Sequence, residues 1–149
     1  MVRLYTFLLL LLLSFTGAAS TATPASSPIL IIEDAWIAEA PPNSKVMVAY
    51  MTITNPSSEK IEIVSAESTI YSSIEFHETV HQDGLARMVR YDEIPVSANG
   101  SVHFKRGGKH LMLFNPNRQL KAGDKVTVSF TTKDNKTLST IITVIKAQF

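Results

Sequence analysis

Two histidines and two methionines stand at His77, Met88, His110 and Met112, in the pattern H-x10-M-x21-H-x-M, within 149 residues that contain no cysteine. Thioether sulfur is a soft ligand suited to Cu(I), and imidazole suits copper as well, so a quartet of these two types reads as a copper(I) site. Zinc is held by thiolate, imidazole and carboxylate, and Mg²⁺ or Ca²⁺ by oxygen, which leaves two methionines without a purpose in either. Blue-copper electron transfer requires a cysteine thiolate and is closed to this chain. Catalysis is not expected either. No Ser/His/Asp arrangement or paired-carboxylate motif is evident, and four soft or borderline ligands leave Cu(I) no open position.

Such ligands must be carried by strands. From Ile29 onward the chain is a series of short segments rich in Val, Ile, Thr, Tyr and Phe, with no long stripe of helical period. The expected strands are 29–39, 45–55, 60–67, 73–81, 85–91, 101–105, 110–114, 125–132 and 137–147. Turn residues such as Asn55-Pro56-Ser57, Asp83-Gly84, Asn99-Gly100 and Gly107-Gly108 fall between them. This spacing predicts an all-β fold, a Greek-key β-sandwich or barrel. Val126, Val128 and Phe130 alternate cleanly with Thr127, Ser129 and Thr131, as on a strand with one face in the core. Ile61, Ile63 and Ser65 alternate with Glu62 and Val64 less clearly.

Two local features bear on the quartet. In His110-Leu111-Met112-Leu113 the period of two puts His110 and Met112 on one face and leaves both leucines to the core. Asp83-Gly84 between two extended runs signals a two-residue type I′ turn, which pairs Gln82 with Leu85, His81 with Ala86 and Thr79 with Met88. Met88 then lies diagonally between His77 and His81, about 7–8 Å away across the strands. The opposite face, Phe76, Glu78 and Val80 against Tyr91, Val89 and Arg87, reads as core-like with a diagonal charge pair. His81 is either a rim residue or an auxiliary ligand. Met47 and Met51 read as core filler, Trp36 and Tyr50 as core aromatics, and His103 as a surface residue.

At the start, Arg3 precedes the apolar run Leu4–Leu13 and the small residues Gly17-Ala18-Ala19-Ser20, the layout of a secretory signal peptide cleaved after Ala19. No cysteine follows for a lipid anchor. Residues 20–28, with Pro24 and Pro28 among Ser, Thr and Ala, read as a flexible leader, and residues 29–149 as one domain. Without residues 1–19 the chain loses Arg3 and is formally neutral, with nothing to attract nucleic acid or an anionic membrane. Export and the absence of thiols agree: in an oxidising compartment a thiolate site risks disulfide formation, whereas a His/Met site does not.

The segments His77–Met88 and Gly107-Gly108-Lys109-His110-Leu111-Met112-Leu113, with Asp34-Ala35-Trp36 and Ala49–Asn55, resemble the periplasmic copper(I) chaperones of the PCuAC type, over nearly all of the chain after residue 28. The resemblance implies a cupredoxin-like fold and a monomer that holds one Cu(I) near solvent through His77, Met88, His110 and Met112. It also implies a copper acceptor as partner: the binuclear copper site of cytochrome c oxidase, on its subunit II, or a thiol-containing copper chaperone. His81 departs from the family, where Met is frequent at that position, and the C-terminus Val144–Phe149 lacks the His/Met-rich tail some relatives carry. Periplasmic copper sequestration is the competing function.

Overall fold

The structure is a computed structural model that describes residues 29–146. The expected signal peptide and leader, residues 1–28, lie outside the described residues. Ten strands and no helix are found among the described residues: β1 (Ile31–Ala38), β2 (Val46–Thr54), β3 (Ile61–Glu67), β4 (Ser73–Gln82), β5 (Leu85–Tyr91), β6 (Ile94–Val96), β7 (Ser101–Phe104), β8 (Lys109–Phe114), β9 (Lys125–Thr132) and β10 (Thr137–Ile145). They form one sheet in the order β5-β4-β8-β7-β2-β1-β10-β9-β3-β6, with β8 also paired to β2. β3, near one end of that order, packs back against β4, near the other, so the sheet curls into a nearly closed barrel. The all-β expectation holds.

Curling buries the inner face of most strands, though not of the outer strand β5. Val126, Val128 and Phe130 are buried on β9, as their alternation requires, and Met47 and Met51 are buried on β2 beside Ala49 and Ile53. Met47 does more than fill space, since its sulfur accepts a hydrogen bond from the Tyr71 hydroxyl at 3.4 Å. The irregular pattern of β3 has a physical cause. Its register against β9 shifts between Ile63 and Ser65, which turns Val64 outward and returns Ala66 to the core.

Three expectations need correction. β6 is absent from the expected strands because Pro95 reads as a breaker. It pairs with Glu62 at the sheet's edge, where a missing N–H is tolerated. Trp36 and Tyr50 are not core aromatics. They pair across β1 and β2 as half-buried neighbours with ring centres 4.6 Å apart, on the outer face, with the Arg106 guanidinium 5.4 Å from the Trp36 ring. On the far face of the β4–β5 hairpin only Phe76 is core. Val89 and Arg87 are exposed, and Glu78 is held by Lys109 and Tyr91 rather than by Arg87.

Candidate metal centre

β4 is the strand on which the site is organised, because it pairs with β5 on one side and β8 on the other. The turn that joins it to β5 takes the backbone Asp83-Gly84 demands, with φ of 54° and 75°, and the hairpin register is the expected one: His81 opposite Ala86 and Thr79 opposite Met88. On the other side, antiparallel pairing puts His77 directly opposite His110 and Glu75 opposite Met112. Residues opposite one another share a face of the sheet, as do residues two apart on one strand. His77, Met88, His110 and Met112 therefore lie on one face of three adjacent strands. Phe76, Leu111 and Leu113 occupy the other and are buried in the core.

The two imidazoles are close, with ring centres 6.1 Å apart and planes inclined by 31°. An imidazole nitrogen sits about 2 Å from a bound transition metal, so two rings sharing one ion have centres about 6 Å apart or less. Hydrogen bonds define which nitrogens are free. His110 Nδ1 donates to the Gly108 carbonyl at 2.9 Å, and in a neutral ring this leaves the lone pair on Nε2. That same carbonyl accepts the Thr79 N–H at 3.1 Å, so the Gly107-Gly108 turn ties β4 to the start of β8 as well as orienting His110. His77 Nε2 is 2.8 Å from Glu75 Oε2, and His77 Nδ1 is buried with no hydrogen-bond partner.

Exposure is graded across the quartet. His110 is 6% exposed, the His77 side chain 13%, Met112 half-buried, and Met88 55% exposed at the outer strand. His81 shares their face but stands at the exposed hairpin end, roughly 13 Å along β4 from His77. The structure sets it beside Met88 and apart from the facing imidazoles. His103 is a surface residue, bonded to Thr52 Oγ1 at 3.2 Å. Among the described residues no group of three or more His, Cys, Asp or Glu could hold a metal ion.

At the base of the hairpin Glu78 Oε2 accepts from Lys109 Nζ and from the Tyr91 hydroxyl, each at 2.8 Å. The Lys109 bond, then the Tyr91 bond, holds the Glu78 carboxyl below its ordinary 4.5, while the hydrogen bond to Glu78, then burial, raises the Tyr91 phenol. The arrangement fastens β4, β5 and β8 together on the side away from the quartet. Sequence reasoning missed this clasp, and it missed Glu75, whose only signal was its phase with His77.

A family model described as putative lipoprotein LpqE-like matches residues 30–144. The chain belongs to the LpqE-like family. This LpqE-like chain is 34% identical over 87 residues to the uncharacterized protein RP573 of Rickettsia prowazekii, a match covering 58% of the chain and 48% of that protein. The chain thus spans about half the length of that relative. Among solved structures it is similar to CuI-DR1885 from Deinococcus radiodurans, at 32% identity and a TM-score of 0.65 over 87% of this chain and 83% of that one. It also matches the copper-bound PCuAC domain from PmoF2, with a TM-score of 0.67 over 83% and 97% of the two chains. At 16% identity that second likeness concerns the fold alone, and the fold of the LpqE-like chain is the cupredoxin-like fold of PCuAC domains.

Proposed function

We propose that this domain binds one Cu(I) through His77, Met88, His110 and Met112 and carries it to an acceptor protein in an exported compartment. The observation that carries the reading is the pairing of His77 with His110. Each ring has one nitrogen engaged in a hydrogen bond, which leaves one lone pair per ring, and two thioethers lie on the same face of the sheet. Two imidazoles and two thioethers form a donor set for Cu(I). The solved protein at 32% identity is a Cu(I) form, which supports the same cargo here. The lipoprotein description of the family supports export, and within this sequence there is no cysteine to take a lipid.

Graded exposure favours carriage over sequestration. Met88 is mostly open to solvent, so an acceptor's ligand can replace it before the imidazoles let go, and copper can pass without entering bulk water. The binuclear copper site of cytochrome c oxidase, or a thiol-containing chaperone, is the acceptor the family resemblance implies. His81, set apart from the imidazoles, is assigned no ligand role.

The test is a competition titration of the protein with a chromophoric Cu(I) chelator, followed by mixing with an apo oxidase copper domain. One equivalent bound, with transfer faster than dissociation into buffer, is the expected result. Transfer no faster than dissociation would favour sequestration, and two equivalents of comparable affinity would contradict a single site.

A further inference from the structure

Both carboxylate oxygens of Glu75 are engaged. Oε2 meets His77 Nε2 at 2.8 Å, and Oε1 accepts from Arg90 Nη1 at 3.2 Å. Arg90 lies directly opposite His77 on β5, so the three side chains sit together on the face that carries the quartet. A carboxylate can only accept, so the proton in the Glu75–His77 bond belongs to the imidazole and sits on Nε2. In the neutral ring Nδ1 then carries the lone pair. Among the described residues His77 Nδ1 is the buried side-chain polar atom without a hydrogen-bond partner. Buried polar groups are nearly always satisfied, and an exception calls for an explanation, which a bound ion at this site would supply.

His110 has the opposite arrangement. Its Nδ1–H is committed to the Gly108 carbonyl, so its free nitrogen is Nε2. The two rings therefore leave different nitrogens without a hydrogen-bonded proton, Nδ1 in His77 and Nε2 in His110.

We propose that Glu75 is the positioning residue of the copper site: it selects the Nε2–H tautomer of His77, so that copper is bound by Nδ1 of His77 and by Nε2 of His110. This rests on the copper-carrier reading above. Glu75 is not a ligand in this account, because both its oxygens are occupied by donors. It acts as the outer carboxylate of a carboxylate–histidine–metal relay, fixing the ring's tautomer and orientation. Arg90 anchors the far oxygen and keeps the carboxylate turned toward His77. Its side chain is 59% exposed, so it contributes less than Glu75 does.

The experiment begins without metal. Long-range ¹H–¹⁵N NMR on the labelled apo protein in alkaline buffer reads the tautomer of each histidine, and the expected result is Nε2–H for His77 and Nδ1–H for His110. An Nδ1–H tautomer at His77 would overturn the proposal and leave the copper reading standing, since that reading is tested separately by the Cu(I) titration. Ag(I), a spin-½ mimic of Cu(I), is then added. One-bond coupling should appear at Nδ1 of His77 and Nε2 of His110. Coupling at Nε2 of His77 would overturn the proposal, and coupling at neither ring would overturn it together with the copper reading.

Glu75→Ala should give a mixture of His77 tautomers and weaken Cu(I) by about 10- to 100-fold, as loss of outer-shell partners typically does. Glu75→Gln, which keeps an acceptor oxygen, should restore most of the Nε2–H population. A Glu75→Ala protein with unchanged tautomer and affinity would sink the idea. The wild-type tautomer decides it even if Glu75→Ala fails to fold.

Discussion

His77 and His110 stand directly opposite each other on neighbouring antiparallel strands, with ring centres 6.1 Å apart. Neither is near the other in sequence, and neither would reach the other if β4 slid by one residue along β8. A slip of one residue inverts the faces of β4, putting Phe76 outside and His77 into the core while His110 keeps its place. The core therefore enforces the site. Burial of Phe76, Leu111 and Leu113 on the inner face is what holds the polar face in register.

The two methionines are expected to matter for metal and little for folding. Leucine has nearly the bulk of methionine, and Met88 is 55% exposed, so Met88→Leu and Met112→Leu should change stability by less than about 1.5 kcal/mol. Cu(I) affinity should fall in each by at least the 10- to 100-fold seen on loss of an outer-shell partner. Chelator competition alongside thermal denaturation checks both halves. Parental affinity in both variants would mean the thioethers are not ligands.

The residue between two candidate ligands should behave in the opposite way. Leu111 is fully buried, and Leu111→Ala removes core contacts at a cost of about 2–5 kcal/mol. Urea denaturation should show that loss, while the folded fraction still binds copper, because the backbone pairing of His110 with His77 is unchanged. A variant as stable as the parent would contradict the assignment of faces.

Gly84 has φ of 75°, and a Cβ built on it would meet no other atom within 4 Å. Gly84→Val should therefore act through backbone strain alone, of order 1–3 kcal/mol and confined to the hairpin. Amide exchange at Met88 should accelerate and Cu(I) affinity should drop, with protection of core amides on β9 unchanged. Uniform loss of protection across both strands would show that the hairpin is not a separate unit.

Glu78 provides a pH signature for the clasp behind the site. Its carboxyl is held below the ordinary 4.5 by Lys109 first and Tyr91 second, so folding favours the ionised form. The resulting stability is fully present above 4.5 and is lost as pH falls through the lower folded value. Glu78→Gln should be less stable than the parent at neutral pH by about 1 kcal/mol or less, and equally stable at the acid end. Denaturation curves in urea at several pH values will show the two lines converge. A gap independent of pH would mean that charge is not what the clasp uses.

Much of this arrangement was legible beforehand, and the reasons differ by element. The β4–β5 register followed from two residues, Asp83 and Gly84, because a type I′ turn admits one pairing. The shared face of His110 and Met112 followed from the strand period. The pairing of β4 with β8 had no local signal and was not read from the sequence, since partners separated by about thirty residues are chosen by packing. Trp36 and Tyr50 were misplaced because both faces of β2 are apolar: Val46, Val48 and Tyr50 on one, Met47, Ala49 and Met51 on the other. β1 compounds this with a bulge between Glu33 and Trp36, where Asp34 has φ of 52°, so alternation cannot be read through it. Glu75 was visible only as a carboxylate in phase with a histidine, a pattern too common to name without the hydrogen bond.

The central claim is that one copper ion sits among two imidazoles and two thioethers on a single sheet face. X-ray absorption at the copper edge tests it most directly, on the Cu(I)-loaded protein and on the Met88→Leu, Met112→Leu double variant. The account predicts two nitrogen and two sulfur neighbours in the parent and no sulfur in the double variant. A parent spectrum with nitrogen or oxygen neighbours alone would contradict it.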